Sequence, residues 1–199
     1  MKVRQIAVGP MANFVYLAVD EGTRKAVTVD SGWETEPIIQ ASREEGANIL
    51  YVIATHQHFD HVSTVEELAS KVGAEVVGHR SLPIRCDRRV EEGSVIQVGG
   101  STISVLHTPG HTQDSICLLE GTNLFTGDTL FIGTVGRFQR GTAAQMFASL
   151  ERLRNLPDRT LIYPGHDYGE VPFRTIGEEK RLNPALSVTT LDDFVSLFC

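Results

Sequence analysis

The sequence predicts an α/β protein built as a four-layer αββα sandwich. Three observations point there: short strand-like runs recur along the chain, each half is strand-rich first and helical after, and the helical stretches carry their apolar residues on one face. Such a layout places two sheets face to face with helices outside. Apolar residues make up 41% of the 199 and charged residues 22%, a composition that can fill a core without disulfides or other staples. We expect residues 1–199 to form one domain that closes in a short helical tail from about 175 to 199.

The first half opens with strand-like runs at 3–8, 14–19 and 26–29, and Glu21-Gly22 between the last two marks a hairpin. Residues 34–45 read as a helix, with Ile38, Ile39 and Ala41 as its apolar patch and Gly46 at its C-terminal end. The continuous apolar run 49–54 predicts a strand buried on both faces. A helix over 63–71 follows, with Ser63 and Glu66 spaced as a capping box. The second half repeats the pattern, with strands at 75–77, 95–98, 102–106, 116–119 and 124–126. Gly99-Gly100 makes the turn between the second and third of these. A helix over 143–153 turns Met146, Leu150 and Leu153 to one side, and 161–163 is a further strand. Two helical patterns, 176–182 and 191–198, are parted by Asn183-Pro184.

The charge balance is 18 Lys plus Arg against 25 Asp plus Glu, a net of -7, which disfavours binding nucleic acid through phosphates. Three cysteines, Cys86, Cys117 and Cys199, make neither a disulfide framework nor a metal knot, and a reducing cytoplasm fits best. The first residues lack the apolar stretch of a signal peptide. The longest clean apolar runs, 14–19 and 49–54, fall far short of the roughly 20 residues that span a bilayer, so no membrane partner is expected.

Histidines carry the chemistry. Three of the seven fall in Thr55-His56-Gln57-His58-Phe59-Asp60-His61, directly after the apolar run 49–54. Residues two apart on extended backbone face the same way, so His56 and His58 can point into one space, and Asp60 and His61 can add ligands from the turn that follows. Imidazole and carboxylate are the donors that zinc and iron take. Two further loops, Thr108-Pro109-Gly110-His111-Thr112 and Pro164-Gly165-His166-Asp167-Tyr168, break a strand with Pro-Gly and present a histidine. Between them Phe125-Thr126-Gly127-Asp128-Thr129 ends a strand on an acid. Neither His79 nor His107 fits this scheme, and both read as hydrogen-bonded structural residues. Cys117 reads as a buried apolar side chain. Cys86, among Arg85, Arg88 and Arg89, is either a thiol of lowered pKa or a plain surface cysteine.

The set His-x-His-x-Asp-His at 56–61 followed by His111, Asp128 and His166 resembles the metallo-β-lactamase superfamily over most of the chain. The resemblance implies the metallo-β-lactamase fold with metals in a cleft at the sheet edges. It implies His56, His58 and His111 on one ion, Asp60, His61 and His166 on a second, and Asp128 bridging. The ions implied are two divalent metals, zinc and/or iron. Asp30-Ser31-Gly32 looks like the family's Asp-x-Gly turn, a support rather than a ligand. Two such ions would ionise a water near neutral pH, giving a metal-bound hydroxide as nucleophile, with Asp60 as the catalytic residue bordering it.

Two branches of the family are in view. The segment Gly136-Arg137-Phe138-Gln139-Arg140-Gly141-Thr142-Ala143-Ala144-Gln145-Met146 is similar to the glyoxalase II pattern Gly-Lys-Phe-x-x-Gly-Thr-Ala-x-x-Met, with Gln139 where a tyrosine is expected. This resemblance implies a cytoplasmic hydrolase of small 2-hydroxy acid thioesters, with Arg137 and Tyr168 binding substrate. Only 33 residues follow His166, too few for the helical domain that completes the glutathione site of long glyoxalase II enzymes. The tail, with Thr175-Ile176-Gly177-Glu178-Glu179-Lys180-Arg181 and Asn183-Pro184, is similar to the persulfide dioxygenases. That alternative implies one Fe(II) on His56, His111 and Asp128, with positions open for O₂ and a persulfide.

Overall fold

Strand β2 (Asn13–Val19) is buried along its whole length, and its alternate side chains serve two different cores. Val15, Leu17 and Val19 face outward against helices, while Phe14, Tyr16 and Ala18 face a second sheet, as the two-residue period of a strand requires. The computed structural model describes residues 1–198; the expectations that reach Cys199 lie outside them.

The first sheet runs in sequence order: β1 (Lys2–Val8), β2, β3 (Lys25–Val29), β4 (Asn48–Ile53), β5 (Glu75–His79) and β6 (Arg88–Val90). The first three are antiparallel and the rest parallel, with α1 (Glu36–Glu44), α2 (Phe59–Val62) and α3 (Val65–Val72) in the crossovers. The second sheet pairs β7 (Val95–Val98), β8 (Ser101–His107), β9 (Ile116–Glu120), β10 (Asn123–Gly127), β11 (Leu161–Pro164) and β12 (Arg174–Thr175) in that order. Helix α4 (Ala143–Arg154) crosses between the parallel strands β10 and β11, and α5 (Ile176–Leu182), α6 (Pro184–Ser187) and α7 (Leu191–Phe198) complete the outer layer. Three apolar clusters fill the gaps: first sheet on helices, sheet on sheet, and second sheet on α4 to α7. This is the four-layer αββα arrangement. No helix among the described residues is long and apolar enough to cross a membrane.

Local departures from the sequence reading have physical causes. Helix α3 starts at Val65 and has no capping box at Ser63, because the Ser63 hydroxyl accepts the Trp33 N–H at 3.0 Å instead. Strand β6 was not anticipated: its Arg-Arg-Val sequence is charged. It pairs at a sheet edge, where Arg88 lies 5.9 Å from the Tyr51 ring centre and Arg89 donates to the Ile84 carbonyl at 2.6 Å. Edge strands with charged side chains are the common form, since one side of the ladder faces water. Gly46 follows α1 with φ +57°, the left-handed turn that ends a helix on glycine.

The tail packs through aromatics. Phe194 of α7 is fully buried and stacks on Phe138 at 5.1 Å between centroids, with Phe147 and Phe198 also against it. Phe194→Ala should cost about 3–5 kcal/mol through the cavity it leaves. For a chain of this size that is a fall in melting temperature of about 6–20 °C. A calorimetric melt within 2 °C of the wild type would show that the tail is not part of the cooperative core.

Candidate metal centre

Every candidate ligand sits just past the carboxyl end of a strand: His56 to His61 after β4, His111 after β8, Asp128 closing β10 and His166 after β11. Parallel strands deliver their loops to one edge of a sheet, and polar side chains there converge without entering the core. The seven residues that the sequence singled out are brought together in two adjoining groups. One contains His56, His58, His111 and Asp128, the other Asp60, His61 and His166, with the donor atoms of each group within 4.8 Å of one another.

The support of this cluster starts at Asp30, which leaves β3 with φ +61°. Its carboxylate accepts the Thr55 N–H at 2.7 Å and the Thr55 hydroxyl at 2.8 Å. A hydroxyl committed as donor to a carboxylate can only accept from its next neighbour, His56 Nδ1 at 3.0 Å. His56 therefore carries its proton on Nδ1 and turns the Nε2 lone pair into the site. The same device recurs with carbonyls: His111 Nδ1 donates to Arg137 O at 2.6 Å and His166 Nδ1 to Met11 O at 2.9 Å. An outer hydrogen bond that fixes the tautomer is how metal-binding imidazoles are prepared. His61 Nδ1 lies 3.1 Å from Asp30 Oδ2, too poorly aligned for a hydrogen bond but close enough for the charge to act.

The inward atoms then face each other. His58 Nδ1 is 3.1 Å from His56 Nε2 and 2.9 Å from His111 Nε2, while Asp128 Oδ2 is 3.5 Å from His111 Nε2. In the second group, His61 Nε2 and His166 Nε2 are 3.1 Å apart, and Asp60 Oδ2 is 3.5 Å and 3.3 Å from them. Asp128 reaches this group too, with Oδ1 3.3 Å from His61 Nε2 and Oδ2 3.4 Å from His166 Nε2. Donor atoms tetrahedrally placed at about 2.0–2.1 Å from one ion would stand about 3.3 Å apart. The observed spacings fall around that value. Asp128 Oδ1 is buried with no hydrogen-bond partner, an orphan that a cation would satisfy. The donor set fits divalent metal ions.

Electrostatics agree with geometry. Burial holds His56 well below the ordinary histidine pKa and also lowers His111, keeping both neutral, the form that ligates. Burial works against His166 as well, but the Asp128 and Asp60 carboxylates outweigh it and push it up to about 10. Burial likewise opposes ionisation of Asp60 and Asp128, yet the histidines around them hold both below the usual carboxylate range. Two carboxylates, Asp128 buried and Asp60 half-buried, beside five imidazoles make a place for positive charge.

Two glycines allow this close approach. A Cβ on Gly32 would lie 1.8 Å from the Asp60 carbonyl oxygen, so the β3–α1 turn touches the backbone of the second group directly. A Cβ on Gly165 would lie 2.4 Å from Asp128 Oδ1 and 2.8 Å from His61 Cε1. Gly32→Ala should cost about 1–3 kcal/mol by overpacking and displace Asp60. A thermal melt and the metal stoichiometry of the purified variant would show it; a wild-type melt with full metal content would contradict the contact.

Around the donors, Tyr168 stacks on the His166 ring at 4.6 Å, and Phe131 packs edge-on to both. Arg137 is exposed at the rim of a cleft of about 370 Å³, which Gln57, His58, His111, Gln113 and Gln139 also line. His79 and His107 stand apart from the donors: their rings stack at 4.4 Å, His79 Nδ1 bonds Ser81 Oγ at 2.7 Å, and His107 Nε2 bonds Gln113 O at 2.9 Å. Cys117 is buried and its thiol is pushed up to about 11 by that burial; burial also raises Cys86, so Arg89 beside it does not make it reactive. Sequence reasoning missed Asn13, Thr55, the Met11 carbonyl and the Arg137 carbonyl. Thr55 directly precedes the histidine motif, but main-chain acceptors leave no mark in a sequence.

The profile of the metallo-beta-lactamase superfamily matches residues 8–83 and 78–166. A hydroxyacylglutathione hydrolase of Rhodospirillum rubrum is 37% identical over 175 residues, which cover 84% of this chain and 67% of the relative. This chain spans about two thirds of the length of such relatives, 63% for two from Rhodopseudomonas palustris. ETHE1 from Myxococcus xanthus superposes with a TM-score of 0.93 at 38% identity, covering 100% of this chain and 90% of that one. TTHA1623, solved in a di-iron-bound form, gives a TM-score of 0.77 at 31% identity over 91% of this chain and 98% of its own. Convergent histidine and aspartate donors in two groups that share one carboxylate are the equipment of a metal-dependent hydrolase, and with the profile matched over most of its length the chain belongs to the metallo-beta-lactamase superfamily.

Proposed function

We propose that this protein is a metal-dependent hydrolase of glyoxalase II type that cleaves thioesters of small 2-hydroxy acids. The observation that carries the reading is the complete pair of donor groups joined by Asp128. His56, His58 and His111 would hold one ion and Asp60, His61 and His166 a second, with Asp128 within reach of both groups; zinc and iron suit these donors. Two ions in this position would supply a water ionised near neutral pH and an electrophile for the thioester carbonyl. The chain's own residues do the rest. Asp30, Thr55 and the Met11 and Arg137 carbonyls keep the imidazoles in one tautomer, so little reorganisation is needed during reaction. Asp60, the only carboxylate that belongs to the second group alone, is the residue to which we assign the catalytic role there. Arg137, on the rim of the cleft beside His58 and His111, takes a carboxylate of the thiol carrier by paired hydrogen bonds. Tyr168, stacked on His166, is the second residue to which we assign substrate binding. Water oxygen bonds to the carbonyl carbon, the C–S bond breaks, and the thiol leaves with a proton.

The curated relatives' names support this reading. The ETHE1 likeness supports a second one, a persulfide dioxygenase with one Fe(II) on His56, His111 and Asp128. Paired assays on one preparation decide between them. We expect thiol release from a lactoyl thioester under strictly anaerobic conditions, with two metal ions per chain. Oxygen uptake with a persulfide, one iron per chain and no anaerobic thiol release would overturn the hydrolase.

A further inference from the structure

We propose that Asn13, itself fixed by Trp33, is the positioning residue that sets Asp60 for the second ion. The inference rests on the two-ion reading above. Asn13 opens β2 and is 1% exposed, so each polar atom of its amide must find a partner. Its Oδ1 accepts from Trp33 Nε1 at 2.8 Å. Its Nδ2 donates to Asp60 Oδ2 at 2.9 Å and to Asp60 O at 3.3 Å. The direction of the amide is forced: the indole N–H can only donate, so it meets Oδ1, and the carboxylate can only accept, so it meets Nδ2.

The carboxylate oxygen that Asn13 holds is the one that matters. Asp60 Oδ2 stands 3.3 Å from His166 Nε2 and 3.5 Å from His61 Nε2, the other two donors of the second group. Asn13 is also tied to His166 through the main chain, since the two residues form an antiparallel bridge and Phe14 N–H donates to Gly165 O at 2.9 Å. One residue thus connects two of the three donors that belong to the second ion alone. None of its side-chain bonds reaches His56, His58 or His111.

Trp33 is held in turn. It takes φ +65°, a left-handed conformation that costs a bulky residue about 1–2 kcal/mol. A Cβ on Gly9 would lie 2.2 Å from its ring, and Phe59 meets the indole edge-on at 5.9 Å. Its own N–H is bound to Ser63 Oγ. The indole is wedged with its N–H on Asn13, and a glycine makes room for the wedge.

The test is a titration of the chelator-stripped, full-length protein with Zn²⁺ against a chromophoric zinc indicator, which resolves two steps. In Asn13→Leu the second step should weaken about 10- to 100-fold, the usual effect of removing an outer partner of a metal ligand, while the first step keeps its affinity. Trp33→Phe keeps an aromatic ring but loses the N–H together with part of the indole's volume, so the metal-free melt of the variant is recorded beside the titration. This variant should weaken the second step by about 2- to 10-fold, the worth of one hydrogen bond. The chain has a single tryptophan, so emission reports Trp33 alone. In the wild type it should change with the second equivalent of Zn²⁺ and not the first, and in Asn13→Leu the second equivalent should leave it unchanged. Equal second-step affinity in Asn13→Leu and wild type would overturn the inference and leave the two-ion reading standing. Equal weakening of both steps in Trp33→Phe would reduce the pair to general packing and overturn it also. If Asn13→Leu does not fold, Trp33→Phe decides by the same criterion. A wild-type protein that binds one Zn²⁺ in total would overturn the two-ion reading and this inference with it.

Discussion

His56→Ala and His111→Ala should each lose the first ion and at least about 10³-fold in kcat/KM, a barrier increase of about 4 kcal/mol. Both residues offer Nε2 to the same point, and both have their outer nitrogen committed, to Thr55 and to the Arg137 carbonyl. Removing either leaves two imidazoles and a shared carboxylate, an open and weak site. The effect on stability separates this from misfolding. A ligand that binds only the folded chain stabilises it by about 4 kcal/mol at a thousand times its dissociation constant. Added Zn²⁺ should therefore raise the wild-type melting temperature by about 8–16 °C. In the variants most of that rise should vanish, while the metal-free melts stay close to wild type. Full metal occupancy with a near wild-type rate in either variant would remove His56 or His111 from the centre.

The metal centre was legible in the sequence because its donors are dense and local. Six residues, His56 to His61, supply four of the seven, and Pro-Gly or Gly-Asp at strand ends flags the other three. The sandwich was legible because β2 and β4 carry the unbroken apolar runs 14–19 and 49–54, which a sheet covered on both sides can bury. What could not be read depends on partners distant in the chain. Ser63 looks like a helix cap, but Trp33, 30 residues earlier, takes its hydroxyl. Asn13 looks like an ordinary polar residue before a strand, and its partner Asp60 lies 47 residues on. Arg137 was singled out for its side chain, whereas its carbonyl, which orients His111, has no signature at all. Cys86 shows the converse: neighbouring arginines suggested a lowered pKa, and burial, which a sequence does not display, moves it the other way.

Asp60→Asn should divide the two readings of the centre by rate and by metal content together. The substitution keeps shape and removes one charge, so the fold has little reason to change. It strips the second group of its only unshared carboxylate, leaving His61 and His166 with Asp128, which the first group also uses. Asn13 Nδ2 would face an amide in place of a carboxylate, turning a charge-assisted hydrogen bond into a weaker neutral one. For a two-ion hydrolase both effects fall on the second ion, so thioester hydrolysis should drop by about 10²–10⁴-fold, the scale of losing a main charge-stabilising or proton-handling group. Metal content should fall from two ions per chain to one. For a dioxygenase with iron on His56, His111 and Asp128, Asp60 lies outside the donor set, and iron content and oxygen uptake should survive. Measured on one preparation by elemental analysis, anaerobic thiol release and oxygen uptake, the variant gives opposite patterns in the two cases. Thioester hydrolysis at the wild-type rate in Asp60→Asn would refute the two-ion mechanism, because the second ion would then be absent or idle while the reaction proceeds.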